Sequence, residues 1–275
     1  MRKKIPLDKK SIYFSNKDSS FILLQGNCIE ILNNFPEKSV DMIFADPPYF
    51  LSNGGITCKA GKMVSVNKGE WDKSKGVKAD HQFHLDWLRA CQRVLTDNGT
   101  VWVSGTNHVI YSVGYAMHEL GFKMLNDIVW YKRNAPPNLS CRYFTHSTET
   151  VLWAAKNKKS KHCFNYELMK EMNRGKQMRN VWEISAPSKD EKRQGKHPTQ
   201  KPLSLLYRII LASTKKGDLV LDPFNGGGST GIGAKLLDRN YVGVELEKQY
   251  LDLTVKRFKE INKNVKCKLF NMEGA

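Results

Sequence analysis

Short apolar runs alternate with amphipathic stretches along most of this chain. Phe21-Ile22-Leu23-Leu24 predicts a strand, a short helix follows over 28–33, and residues 39–44 predict a second strand. A polar, glycine-rich stretch covers 52–80, after which Leu85, Leu88 and Cys91 space out one buried face of a helix over 85–95. Asn98-Gly99 predicts a turn into a strand at 101–103, and a helix over 109–120 stops at Gly121. Strands are expected at 124–131 and 150–154. From 156 to 197 the pattern dissolves into basic, polar sequence with isolated Phe164, Tyr166 and Trp182, which predicts an inserted region and not a second core. Regularity returns with Pro202 at the first position of a helix over 203–213. A strand at 219–221, a glycine loop, a helix at 230–237, a strand at 241–244 and a helix at 248–261 complete the order. Strands that alternate with helices imply an α/β chain with a largely parallel sheet covered by helices.

Composition narrows the class. The 275 residues suit one large domain over 1–275, with an insertion at 51–80, an inserted basic region at 133–196 and a compact β-loop-α-β-α unit at 197–262. With no leader-like start and no run of 18 apolar residues, the expectation is a soluble cytoplasmic protein without a membrane partner. The six cysteines are scattered, with no C-x-x-C pair or Cys/His spacing of the kind that holds zinc, and no metal is expected. Charge is more telling: 44 Lys and Arg against 27 Asp and Glu give +17, and 156–201 holds 13 of the basic residues against five acids. A polyanion such as DNA is the expected partner.

Two segments carry candidate chemistry. Asp222-Pro223-Phe224-Asn225-Gly226-Gly227-Gly228-Ser229-Thr230 joins an apolar strand directly to a helix, a turn in which backbone closely approaches a ligand. It is not a phosphate-binding loop with its lysine, which disfavours ATP and leaves an adenosine-type ligand as the expectation. Glu245, at the end of the next strand, is placed to accept hydrogen bonds from ribose hydroxyls, with Leu246 beside it. The second segment is Asp46-Pro47-Pro48-Tyr49, which follows a strand and so falls at the sheet edge where open α/β folds bind ligands. Its prolines stiffen the turn and donate no hydrogen bond, leaving carbonyls free to face a substrate.

With these residues the chain resembles the β-class amino-methyltransferases of bacterial restriction-modification systems, in which the DPPY block precedes the DPF-x-G-S-G-T block. The resemblance runs from 24-LQGNC-28 to the final helix. Over 44–55, 138–150 and 195–202 it is similar to the second methyltransferases of DpnII-type systems. The resemblance implies a doubly wound, Rossmann-like, circularly permuted fold with an inserted target-recognition region, and S-adenosylmethionine as cofactor. It implies transfer to adenine N6 in double-stranded DNA, with GATC as the site and tolerance of single strands. Asp46, Pro47, Pro48 and Tyr49 would be catalytic. Asn27 and Cys28, in place of the usual Asp-Cys, would lie beside the cofactor, as would Asp46, Asp222, Phe224, Asn225, Gly226, Gly227, Gly228, Ser229, Thr230, Glu245 and Leu246. His197, Thr199 and Lys201 resemble the family's helix start that receives the methionine carboxylate, chemistry that a helix N-terminus suits. DNA contacts are expected from Ser52, Asn53, Lys132, Arg133, Asn134 and Arg142. A homodimer and a cognate endonuclease are implied partners. N4-cytosine methylation is chemically the same attack, and a silent DNA-binding subunit is the alternative of another class.

Overall fold

The computed structural model describes residues 7–52, 56–59, 62–65, 69, 72–195 and 197–264. Its main sheet contains β1 (Ile12–Ser15), β2 (Phe21–Gln25), β3 (Val40–Ala45), β6 (Leu95–Gly105), β7 (Lys123–Tyr131), β8 (Thr148–Ala155), β9 (Val181–Glu183), β10 (Leu219–Asp222) and β11 (Asn240–Glu245). A separate antiparallel hairpin, β4 (Ile56–Lys59) and β5 (Lys62–Ser65), lies in the insertion. The sheet order is β1-β2-β11-β10-β3-β6-β8-β7-β9. Strands β2, β11, β10, β3 and β6 are mutually parallel, while β8 runs antiparallel between β6 and β7.

Period-two alternation explains why these strands read as continuous apolar runs. Ile43, Val101, Leu221 and Val242 face a cluster shared with α1 (Cys28–Asn33), α2 (Val77–Val94) and α3 (Ile110–Glu119). Their neighbours Met42, Trp102, Val220 and Tyr241 face the opposite cluster, with α4 (Tyr166–Met172), α5 (Leu203–Ser213), α6 (Ser229–Leu236) and α7 (Lys248–Asn264). Both faces of the central strands are therefore buried.

The connections wind in opposite directions from the middle. From β3 the chain passes through α2 to β6 on one side; from β10 it passes through α6 to β11 on the other. Beyond the adjacent carboxyl ends of β3 and β10, the reversal of winding opens a crevice, the usual ligand position in such sheets.

Expectations change at several points. Helix α2 begins at Val77, eight residues before the predicted start, because its first turns are polar and solvent-facing and carry no apolar period. Asn98-Gly99 does not precede a strand but sits in a bulge within β6, between Leu95 paired to Val40 and Thr100 paired to Met42. The basic region also joins the main sheet. Its β9 adds to the main sheet beside β7, and Met169, Trp182 and Ile184 enter the same core as the stacked Trp102 and Trp153 rings, 4.5 Å apart. Pro202 caps α5 instead of occupying its first turn.

Candidate active site

Strand β3 delivers Asp46-Pro47-Pro48-Tyr49 to the crevice, and the turn that follows is held by a residue from the insertion. The fully buried Asp72 accepts hydrogen bonds from the backbone N–H of Tyr49 (3.0 Å) and Phe50 (2.9 Å) on one oxygen. Its other oxygen accepts from Leu51 N–H (3.2 Å) and the Ser52 hydroxyl (2.8 Å). The carboxylate thereby satisfies three consecutive donors and stabilises Phe50 at φ 55°, a left-handed conformation that costs a side-chain-bearing residue energy. Ser52, expected at DNA, is buried and spends its hydroxyl on Asp72. Asn53 lies outside the described residues.

Asp46 belongs to a buried charge cluster. The Lys201 ammonium donates to Asp46 Oδ2 at 2.6 Å and to the Tyr49 oxygen at 3.1 Å, and it stands 3.6 Å from Glu149 Oε2. Tyr49 donates to Asp46 Oδ1 at 2.7 Å. Lys132 pairs with the other oxygen of Glu149, and Ser104 donates to Oε2 at 3.3 Å. Two carboxylates and two ammonium groups thus neutralise one another away from water, the condition under which buried charges persist. Burial pushes the Asp46 carboxyl above the ordinary range, although Lys201 pulls it down. Burial acts on Glu149 in the same direction, but Lys201 and Lys132 together outweigh it and hold that carboxyl at about 2. Burial disfavours the charge on Lys201 as well, yet Asp46 and Glu149 keep its ammonium above the usual range. Burial raises the Tyr49 phenol far beyond neutrality, so it remains a donor.

A cavity of about 630 Å³ adjoins Asp46 and runs along the carboxyl ends of β2, β10 and β11. Asp222 ends β10 and organises the glycine loop, accepting from Phe224 N–H at 2.9 Å and from the Thr230 hydroxyl at 2.6 Å. Burial lifts its carboxyl to about 7. Gly228 adopts φ 73° to cap α6, and a Cβ there would lie 2.3 Å from Thr254, so only glycine fits. Asn225 spans the loop, donating to Thr254 Oγ1 at 2.9 Å and accepting from the Tyr241 hydroxyl at 2.8 Å. Glu245 accepts from Gly226 N–H at 2.7 Å and Glu247 N–H at 2.9 Å, and its remaining lone pairs are available to the cavity it lines. Burial raises its carboxyl.

Asn27, Cys28, His197, Thr199, Phe224, Gly227, Ser229, Thr230 and Leu246 also line this cavity. Asn27 additionally caps α1, accepting from Ile29 N–H at 2.9 Å, while burial pushes the Cys28 thiol up to about 12 and leaves it protonated. The helix start after His197 differs from expectation. Glu191 accepts the Leu203 N–H at 2.8 Å, so the first donor of α5 is already satisfied by the protein's own carboxylate. Lys201 turns to Asp46, because a fully desolvated ammonium needs the nearest carboxylates.

The residues expected at DNA divide. Lys132 is drawn inward to Glu149, Arg133 pairs with Glu183, and Asn134 accepts from Ala186 N–H at 3.3 Å. Arg142 lies exposed on the β7–β8 connection. Sequence reasoning missed Glu149, Asp72, Phe50, Phe83 and Arg257. Phe50 and Phe83 line the cavity, and Arg257 donates to Gly227 O and to Ser229 Oγ (3.0 Å) beneath the glycine loop. The acid Glu149, two residues before the apolar run Val151-Leu152-Trp153 on the same strand, was the one signal that could have exposed it.

A sheet with this winding, an acid-proline-proline-aromatic turn at its switch point and a glycine loop beside it define a nucleic-acid amino-methylase. Residues 40–256 match the family model described as DNA methylase, of the N6/N4 class, and the chain belongs to that family. It is 56% identical over 254 residues to the type II methyltransferase M2.DpnII of Streptococcus pneumoniae, covering 92% of this chain and 94% of that one. Against the type II methyltransferase M2.MboI of Moraxella bovis it is 53% identical over 249 residues, 90% and 91% of the two chains. Among solved structures, the M1.HpyAVI-SAM complex superposes with a TM-score of 0.63 at 28% identity, covering 86% of this chain and 99% of that one. The cytosine-N4-specific PvuII DNA methyltransferase shares the fold, with a TM-score of 0.65 at 19% identity over 89% and 92% of the chains.

Proposed function

We propose that the protein transfers the methyl group of S-adenosylmethionine to N6 of an adenine flipped out of DNA, as the modifying partner of a cognate endonuclease in the cytoplasm. The observation that carries this reading is the Asp46 carboxylate, held by Lys201 and Tyr49 at the crevice and adjoining a cavity edged by Asp222 and Glu245. That cavity fits the cofactor: its glycine turn leaves no room for a Cβ, and its two edge carboxylates suit hydroxyl and amine donors. When bound, S-adenosylmethionine supplies an electrophilic methyl group on a sulfonium centre.

The remaining chemistry belongs to the chain. An adenine amine is a weak nucleophile because its lone pair is delocalised into the ring. Asp46 and the Pro47 carbonyl accept its two N–H bonds, turn the nitrogen towards tetrahedral geometry and aim the lone pair, which is catalysis by positioning and charge complementarity. Tyr49 holds Asp46 in orientation, and Lys201 keeps that carboxylate ionised despite its burial. Residues 133–196 serve as the target-recognition region, with GATC as the site and single strands tolerated, as the resemblance to DpnII-type second methyltransferases implies; a homodimer belongs to the same reading. Incubation with labelled cofactor and DNA, followed by nucleoside analysis, tests the assignment. N6-methyladenine is the expected product, and N4-methylcytosine as the sole product overturns it.

A further inference from the structure

The connection between β7 and β8 carries an aromatic side chain that no part of the active site uses. Phe144 is 96% exposed and Tyr143 60% exposed, next to the exposed Arg142. The loop is tied at its base, where Lys132 N–H donates to Ser147 O at 2.8 Å and Lys132 pairs with Glu149 of the Asp46 cluster. It is also braced within. Asn138 donates to the Tyr143 carbonyl at 2.6 Å, and the Tyr143 ring lies 5.5 Å from His146, itself 6.4 Å from His108 just beyond β6. Tyr143 is thus tethered over the carboxyl end of β6, beside β3, while Phe144 projects outward from the same rim that presents Asp46.

We propose that Phe144 is the wedge that enters the DNA stack and occupies the space vacated when the target base is extruded. The reading rests on the proposed methylation of a flipped base. Asp46 and Tyr49 are 13% and 6% exposed, so no base held in a duplex reaches them, and the extruded base leaves an unstacked gap. An apolar ring beside an arginine, on a chain of net charge +17, matches that gap in chemistry and the flanking phosphates in charge.

The test compares kcat/KM on two duplexes, one fully paired and one with the target base opposite an abasic site, for the intact protein, Phe144→Ala and Phe144→Trp. A wedge predicts that Phe144→Ala loses at least about tenfold on the paired duplex and less than about threefold on the abasic one, with Phe144→Trp restoring most of the loss. An equal loss on both duplexes, as from a dimer contact, or no loss on either, overturns the proposal. Nucleoside analysis of the intact protein's product identifies the target base independently, so failure of the adenine reading is seen separately from failure of the wedge.

Discussion

The two sides of the crevice are built on different principles. On the glycine-loop side, Asp222, Asn225, Gly228, Tyr241, Glu245, Thr254 and Arg257 come from one continuous β-loop-α-β-α stretch, and shape is set by backbone conformation and close packing. On the Asp46 side, the groups that matter are charges drawn from distant points of the chain: Asp46, Asp72, Lys132, Glu149 and Lys201. Contacts local in sequence leave a motif, whereas a cluster assembled by topology leaves isolated residues.

Substitutions probe this contrast. The largest effect is expected for Asp46→Ala, which removes the acceptor that aims the amine: methyl transfer should fall by about 10³-fold or more, with DNA association in a filter or fluorescence assay little changed. Lys201→Met should come next. It leaves Asp46 and Glu149 as two buried carboxylates without their shared cation, so kcat drops by roughly 100-fold. The sign of the pH effect follows from the cluster: Asp46 must be ionised to accept a proton donor, its carboxyl already lies above the ordinary range, and loss of Lys201 raises it further. The acidic limb of the kcat profile should therefore move upward by about one unit or more, while a limb that stays in place would show that Lys201 does not govern Asp46. On the other side, Gly228→Ala should act through packing, costing about 1–3 kcal/mol of stability by thermal or denaturant unfolding and raising the cofactor KM with no shift in that pH limb. The smallest change is expected for Arg142→Ala, where DNA binding weakens a few-fold and the slope of log affinity against log salt falls by about one.

Legibility in the sequence follows the same division. Double-faced burial made the central strands readable as unbroken apolar runs, and the glycine loop and DPPY turn were readable because their roles are local. The fate of side chains was not. Ser52 and Lys132 looked like surface groups, because no motif marks Asp72 and Glu149 as the buried acids that draw them inward. Strand β9 escaped detection because only Trp182 of its three residues is buried, too short a pattern to show a period. The early start of α2 was hidden by exposed polar turns, and Glu191 on Leu203 could not be seen without knowing how the basic region folds back.

The strand order also sets a schedule for synthesis. Strands β2 and β3 follow each other closely along the chain, yet β11 and β10 lie between them in the sheet. The ribosome therefore releases both flanks, and the turn bearing Asp46, before it has made the two strands that join them. Until residues 219–245 emerge, the inner edges of β2 and β3 have no native neighbour, and long-range pairing of this kind is slow and exposed to aggregation. A nascent chain halted short of Leu219 would hold the Asp46 turn with no finished crevice behind it. DNA modification by this protein can begin only once translation has passed its last strand.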